Sequence, residues 1–135
     1  GIAQTGTGKT AAFALPILHR LARDPYRHPA ETLAFFGVKP GDTVKFLATT
    51  SGHNAASIDG MLPAGAQPFK GKINEEIEIT FDAEGLYGIK CLPHYAMGMV
   101  MTLAVGEVSE APQNYLEGRI PPRARKRFEA QLSNL

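Results

Sequence analysis

Residues 91–99 read CLPHYAMGM and place a thiol, an imidazole and a thioether on one short loop, at Cys91, His94 and Met99. A copper ion that alternates between two oxidation states is typically held by one thiolate, two imidazoles and a weak axial donor such as a methionine sulfur. A proline inside the loop stiffens its turn, and a glycine before the final methionine lets the chain fold back. The stretch therefore predicts three of the four ligands of a copper site.

The fourth ligand has to come from another part of the chain, and His53 is the candidate. Residues 50–54 read TSGHN, so the histidine follows a strand-like run and lies in a bend just after a glycine. The side chain or the backbone of Asn54 is placed to hydrogen-bond the cysteine sulfur, and bonds of this kind orient ligands and tune the redox potential. A single cysteine is more often a small core residue, so the prediction depends on all four donors being present together.

Apolar residues that alternate with polar ones predict strands on both sides of the loop. In residues 76–81, EIEITF, the apolar side chains all fall on one face. Residues 43–47 and 87–91 follow the same period, and residues 99–105 form a nearly continuous apolar run that is typical of a buried strand. With 14 glycines and 10 prolines, the chain has more turn-forming residues than a helical bundle would carry. These features predict an all-β sandwich or barrel.

Length and composition exclude several other classes of protein. A chain of 135 residues is long enough for one domain, and its formal net charge of +1 does not indicate a nucleic-acid or membrane partner. No apolar run approaches the length of a membrane span, and a single cysteine cannot form an intramolecular disulfide. The first residues lack the pattern of a secretory signal, so an exported protein would be a processed or truncated form.

The C-terminal residues have a helical period. Ala124, Phe128 and Leu132 fall on one stripe, and Pro122 suits the first turn of a helix. Basic residues also cluster here, and a solvated helix face is a better explanation of them than contact with nucleic acid: Arg119, Arg123, Arg125, Lys126 and Arg127.

From about residue 38 to the C-terminus, the chain resembles the pseudoazurins, a family of bacterial blue-copper proteins. The segments that carry the resemblance stand in the family's order: PGDTV at 40–44, GHN at 52–54, GM at 60–61, KINE at 72–75, YGIKC at 87–91 and PHY at 93–95. The spacing from cysteine to methionine is shared with plastocyanin, and it is the helical tail that resembles pseudoazurin in particular. The resemblance implies an all-β, cupredoxin-like Greek-key sandwich with two C-terminal helices.

The resemblance also assigns the site. It implies copper ligation by His53, Cys91, His94 and Met99, with Asn54 beside the sulfur. Other histidines and methionines of the chain are expected to lie at the surface or to pack in the core: His19, His28, Met97 and Met101.

The implied function is one-electron transfer in which no substrate is chemically converted, so the chain is not expected to be an enzyme. His94 would be the exit for the electron, with an apolar docking patch around it and a basic ring that steers an acidic partner. The residues of the patch are Pro93, Ala96 and Met97, and those of the ring are Lys45, Lys70, Lys72 and Lys90. The family suggests a copper nitrite reductase and a c-type cytochrome as partners of a periplasmic monomer. Copper storage or delivery is the alternative within the same chemistry.

The N-terminal segment resembles a different family. Residues 3–10 read AQTGTGKT and are similar to the nucleotide-binding loop of DEAD-box RNA helicases, in which Lys9 would reach phosphates and Thr10 a magnesium ion. The family's DEAD motif is absent, so an ATP-binding helicase-like fragment is the less favoured alternative. We predict a chimera: an atypical segment at 1–37, helical over 9–23, followed by a cupredoxin domain at 38–135. Whether the segment supplies a first strand or leaves the sandwich incomplete stays open.

Overall fold

Seven β-strands and one α-helix form the regular structure of the residues that the computed structural model describes, namely 8–10, 34–47, 51–133 and 135. A 3-10 helix, Leu92–Met97, lies between the last two strands. In chain order the elements are β1 (Gly8–Thr10), β2 (Ala34–Val38), β3 (Asp42–Phe46), β4 (Ala56–Ser57), β5 (Ile77–Phe81), β6 (Gly85–Lys90), β7 (Val100–Val105) and α1 (Pro122–Leu132).

The strands form two sheets. One has the order β1-β3-β5 and the other the order β2-β7-β6-β4. β1 and β2 join their sheets in parallel, to β3 and β7, whereas the remaining pairs are antiparallel. Buried residues of both sheets belong to one apolar cluster that includes Val44, Phe81, Ile89 and Leu103. The two sheets therefore pack face to face, and the predicted β-sandwich is confirmed.

The period of the sequence explains which faces are buried. In β5, Ile77, Ile79 and Phe81 lie on the core side, while Glu78 and Thr80 are exposed. β7 has no exposed face, because its six residues are all buried. Alternate residues of β7 pack between the sheets or beneath α1, which accounts for the continuous apolar run in its sequence.

Helix α1 covers the outer face of the four-stranded sheet. Its stripe residues Ala124 and Phe128 are fully buried, in the predicted positions. The equally buried Gln131 is held by two hydrogen bonds to β7: its Oε1 accepts one from the Thr102 hydroxyl at 2.7 Å, and its Nε2 donates one to the Val100 carbonyl at 3.3 Å. A buried amide is stable only when its polar atoms are paired in this way, so Gln131 fixes the helix to the sheet.

The C-terminal region contains one helix where the family resemblance implied two. Residues 106–121 form turns and bends instead. Pro112 and Pro121 each lack the backbone N–H of a helix interior, and Gly106 and Gly118 disfavour helix at either side. Among the described residues, no helix is long and apolar enough to cross a membrane.

The N-terminal segment contributes to both sheets. Lys9 and Thr10, which were predicted to begin a helix, lie in β1 and pair with Val44 and Lys45 of β3. The rest of the predicted helix, residues 11–23, falls outside the described residues. β2 crosses the boundary predicted at 37–38 and pairs with β7. In the described part, the segment therefore forms strands in spite of its local helix propensity, because neighbouring strand edges offer hydrogen bonds.

The Gln131 contact predicts how strongly α1 is fixed. Gln131→Ala would leave a cavity and remove the acceptor that the Thr102 hydroxyl uses, so we expect the free energy of unfolding to fall by about 2–4 kcal/mol. Chemical denaturation of the copper-free protein measures this change. Glu129→Ala, an exposed substitution on the same helix, is the control and should alter stability by about 0.5 kcal/mol or less. Equal effects of the two substitutions would contradict the buried contact.

Candidate metal centre

Two strands bring Cys91 and Met99 to the same end of the sandwich. Side chains alternate along a strand, and the inward series of β6 continues through Ile89 to Cys91, while Met99 begins the inward series of β7. Cys91 and Met99 are both fully buried. The Cys91 N–H donates to the Met99 carbonyl at 3.1 Å, so the antiparallel ladder extends by one bond beyond the strands and closes the base of the loop.

The loop itself is shaped by the 3-10 helix. The His94 N–H donates to the Cys91 carbonyl at 3.1 Å, and the Met99 N–H donates to the His94 carbonyl at 3.2 Å. Pro93 lies in the first turn, and Gly98 ends the helix with φ +88°, a left-handed conformation that favours glycine. The predicted fold-back at the glycine is therefore confirmed, and the stiffening of the turn by the proline stays a prediction.

His53 approaches Cys91 because β4 pairs with the end of β6. Ala56 lies opposite Lys90 in the antiparallel register, which places the residues before β4 beside the residues after β6. Gly52 has φ +91° and supplies the predicted bend. Asn74 secures the bend: its Oδ1 accepts from the Gly52 N–H at 2.7 Å, and its N–H donates to the His53 carbonyl at 2.9 Å.

The three donor residues converge on one point. The Cys91 sulfur lies 3.6 Å from His53 Nδ1 and 3.4 Å from His94 Nδ1. One ligand atom from each of the three residues lies within 4.8 Å of the other two, and the imidazole centroids are 4.7 Å apart. His53 is buried and His94 is half-buried, so the second histidine is the one that reaches toward solvent.

Asn54 joins the two segments that carry the donors. Its Oδ1 accepts a hydrogen bond from the Leu92 N–H at 2.7 Å, and its Nδ2 donates to the Gly71 carbonyl at 2.9 Å. Its backbone also hydrogen-bonds Cys91. Of the two Asn54 groups that the sequence suggested for the sulfur, the backbone reaches the cysteine, while the side chain holds the loop.

The buried environment of Cys91 favours its protonated thiol. Burial raises the pKa of the Cys91 thiol above its usual range, and backbone hydrogen bonds from Asn54 and His94 act in the opposite direction. A thiol in this environment stays protonated near neutral pH unless a cation offsets the cost of its charge. Cysteine, two histidines and a nearby buried methionine form the soft and intermediate donor set that suits copper. The residues present therefore fit the ion that the sequence predicted.

Comparison with known proteins gives the family. The family model for copper-binding proteins of the plastocyanin/azurin family matches residues 32–106, more than half of the chain. A pseudoazurin from Paracoccus pantotrophus is 40% identical over 102 residues, which are 76% of this chain and 70% of that protein. The chain belongs to the pseudoazurin family. The family resemblance and the copper cofactor predicted from the sequence are thereby confirmed.

The fold agrees with this assignment. The crystal structure of the pseudoazurin from Methylobacterium extorquens AM1 superimposes with a TM-score of 0.69 and 36% sequence identity, over 77% of this chain and 84% of that one. The sandwich is therefore that of a cupredoxin. The chain spans between about half and seven-tenths of the length of the curated pseudoazurins that it matches.

A short segment is similar to helicases. The DEAD-box ATP-dependent RNA helicase 36 of Arabidopsis thaliana is 88% identical over 26 residues, which are 19% of this chain and 5% of that protein. A nucleotide-binding loop leads from a turn into a helix, whereas the backbone of Lys9 and Thr10 pairs with β3. At Lys9 and Thr10, the sequence similarity is therefore not matched by the backbone conformation of a nucleotide-binding loop. His19 and His28 lie outside them.

Sequence reasoning missed two contributors to the site. Asn74 stood within a quoted family segment but received no role, and its positive φ of 67° is typical of an asparagine in a tight turn. Leu92 is 43% exposed beside the donor cluster, and its place between the cysteine and the proline of the loop was the available signal. Met97 is exposed and Met101 is buried in the core between the sheets.

The contacts of Asn54 predict its importance for metal retention. Asn54→Ala would leave the Leu92 N–H and the Gly71 carbonyl without their partner, and we expect a loss of about 1–3 kcal/mol in stability together with faster copper release to a chelator. Denaturation and chelator kinetics measure the two effects. Ser51→Ala, an exposed neighbour, is the control. Copper release at the rate of the unmodified protein would contradict the bridging role.

Proposed function

We propose that this chain is a one-electron carrier whose copper is held by His53, Cys91, His94 and Met99. The observation that carries the proposal is the convergence of a buried thiol and two imidazole nitrogens within 4.8 Å, in a member of a copper-binding family. When bound, copper supplies a one-electron redox couple. The chain contributes a rigid set of donors, because both ligand segments are tied by backbone and Asn54 hydrogen bonds.

A rigid donor set favours a carrier over a delivery protein. A delivery protein has to release its ion, which requires donors that are open to exchange. Here His53 is 6% exposed, and Cys91 and Met99 are not exposed at all. The half-buried His94 is the donor that solvent or a partner can approach, so the electron would enter and leave through its ring. No substrate is converted in this reaction.

Apolar residues around His94 form the proposed docking patch. Met97 is 37% exposed and Leu92 43% exposed, and Pro93 and Ala96 also face solvent. Exposed large apolar side chains that are grouped around a site support protein docking. Leu92 thus enlarges the patch of Pro93, Ala96 and Met97 that the sequence suggested. An encounter of this type would be small and transient, as in other redox pairs.

The basic ring predicted around the patch divides into two parts. Lys70 and Lys90 line a cleft together with Leu92 and Asp59, next to the ligand loop, and Lys72 is exposed nearby in sequence. Lys45, in contrast, lies directly opposite Glu78 in the β3–β5 register, where the opposite charge offsets its own. We therefore assign steering of an acidic partner to Lys70 and Lys90, with Lys72, rather than to Lys45.

The partners and the compartment are inferred from the family. The family resemblance implies that the redox partners are a copper nitrite reductase and a c-type cytochrome, and that the protein acts in the periplasm. An acidic docking surface on the partner would complement the lysines, and a monomer would leave the patch free. The chimera proposed for residues 1–37 is supported by the helicase similarity of a short stretch.

The role of Met99 as a copper ligand can be tested through the reduction potential. Met99→Gln should still bind copper and stay coloured, but its potential should fall, because an amide oxygen favours copper(II) more than a thioether does. We expect a shift of roughly 60 mV or more, which for one electron is about a tenfold change in equilibrium. Voltammetry measures it, with Met97→Gln as the control. A shift in Met97→Gln and none in Met99→Gln would mean that the wrong methionine has been assigned.

The steering role of Lys70 can be tested with an anionic oxidant. Oxidation of the reduced protein by hexacyanoferrate(III) at low ionic strength should slow about threefold or more in Lys70→Glu, since steering depends on charge near the electron exit. Lys39→Glu makes the same change in net charge in the β2–β3 turn, at the opposite end of the sandwich. Stopped-flow kinetics that give equal slowing in both variants would refute a local role of Lys70.

A further inference from the structure

Helix α1 lies directly against the ligand loop at Gly98. This glycine is buried, and a Cβ added to it would lie 2.8 Å from Arg127 Nε, 3.1 Å from Arg127 Cδ and 3.3 Å from the Arg123 carbonyl. Contacts of this length leave no room for even a methyl group. The stem of the Arg127 side chain and the helix backbone at Arg123 thus form a wall behind the loop.

Gly98, which lies against this wall, determines the spacing between His94 and Met99. The Gly98 N–H donates to the Tyr95 carbonyl at 2.9 Å, and the next N–H, that of Met99, donates to the His94 carbonyl at 3.2 Å. Cys91 is in turn bonded to the Met99 carbonyl. Because these bonds run through neighbouring peptide groups, a displacement of Gly98 would move the backbone of both His94 and Met99.

Arg127 is half-buried in α1 and lies beside a second cation of the same helix. Arg123 lies four residues before it on the same face, and like charges at this spacing destabilise a helix. Burial lowers the pKa of Arg127, and the charge of Arg123 lowers it further.

We propose that Arg127 is a positioning residue for the metal centre, whose side chain presses Gly98 into place and so fixes the spacing between His94 and Met99. The inference rests on the proposed function, in which the loop carries copper ligands. The effect of Arg127 on the loop can nevertheless be measured without copper. In this proposal Arg127 acts on the ligand residues through Gly98.

The first measurement uses the copper-free protein. Amide hydrogen exchange, followed by NMR, should be about tenfold faster at Gly98 and Met99 in Arg127→Ala, because local opening of the loop becomes less costly. Leu103, in the middle of β7, should exchange as in the unmodified protein. Arg127→Lys retains the apolar stem and should restore slow exchange at the loop.

A matched control separates the contact from the general charge of the helix. Lys126→Ala removes a neighbouring exposed cation and should leave loop exchange unchanged. Unchanged exchange at Gly98 and Met99 in Arg127→Ala would overturn the proposal. Equal acceleration at Leu103 would also overturn it, because the substitution would then act on global stability alone.

The second measurement uses the copper-loaded protein and tests the link to function. Arg127→Ala should shift the visible spectrum and the reduction potential and should release copper several-fold faster to a chelator, whereas Arg127→Lys and Lys126→Ala should not. Faster loop exchange with an unaltered spectrum and release rate would overturn a role in positioning the donors. If the unmodified protein forms no blue copper site, the proposed function is contradicted. The contact of Arg127 with the loop is tested separately, by the hydrogen-exchange data on the copper-free protein.

Discussion

The antiparallel pairing of β6 with β7 is the constraint on which the metal centre depends. It joins Lys90 to Val100, and one further bond joins Cys91 to Met99. The nine residues of the ligand loop therefore begin and end at neighbouring points of one sheet. With both ends fixed, a short 3-10 helix is enough to bring His94 next to the cysteine sulfur.

The positions of His53 and of the residues that hold it depend on strand β4, which pairs with β6. β4 pairs with β6 over only two residues, yet this places His53 beside Cys91, and the side chain of Asn54 bonds across the gap to Leu92. On the other side of the sheet, α1 packs on β7 and against the loop at Gly98. Buried elements therefore lie behind the ligand loop, and we propose that they hold the ligand residues in nearly fixed positions.

The sequence was sufficient to predict the features that follow from local periodicity. Alternation in residues 76–81 gave the core face of β5, and the spacing of Cys91, His94 and Met99 gave the loop. Features that depend on long-range contacts could not be read in this way. Nothing local indicates that Arg127 meets Gly98, or that Lys9 joins a strand, because each depends on a neighbour that is distant in sequence. The prediction of a second C-terminal helix was wrong, because it followed the family resemblance although residues 106–121 contain glycines and prolines that disfavour a helix.

The central claim is that a buried thiolate and two imidazoles hold copper in a blue, redox-active site. Its most direct test is the visible absorption spectrum as copper(II) is added to the copper-free protein. We predict an intense thiolate-to-copper band that saturates at one equivalent and is absent from Cys91→Ser, since a hydroxyl cannot replace the soft sulfur donor. A colourless complex, or an equally intense band in Cys91→Ser, would contradict the account.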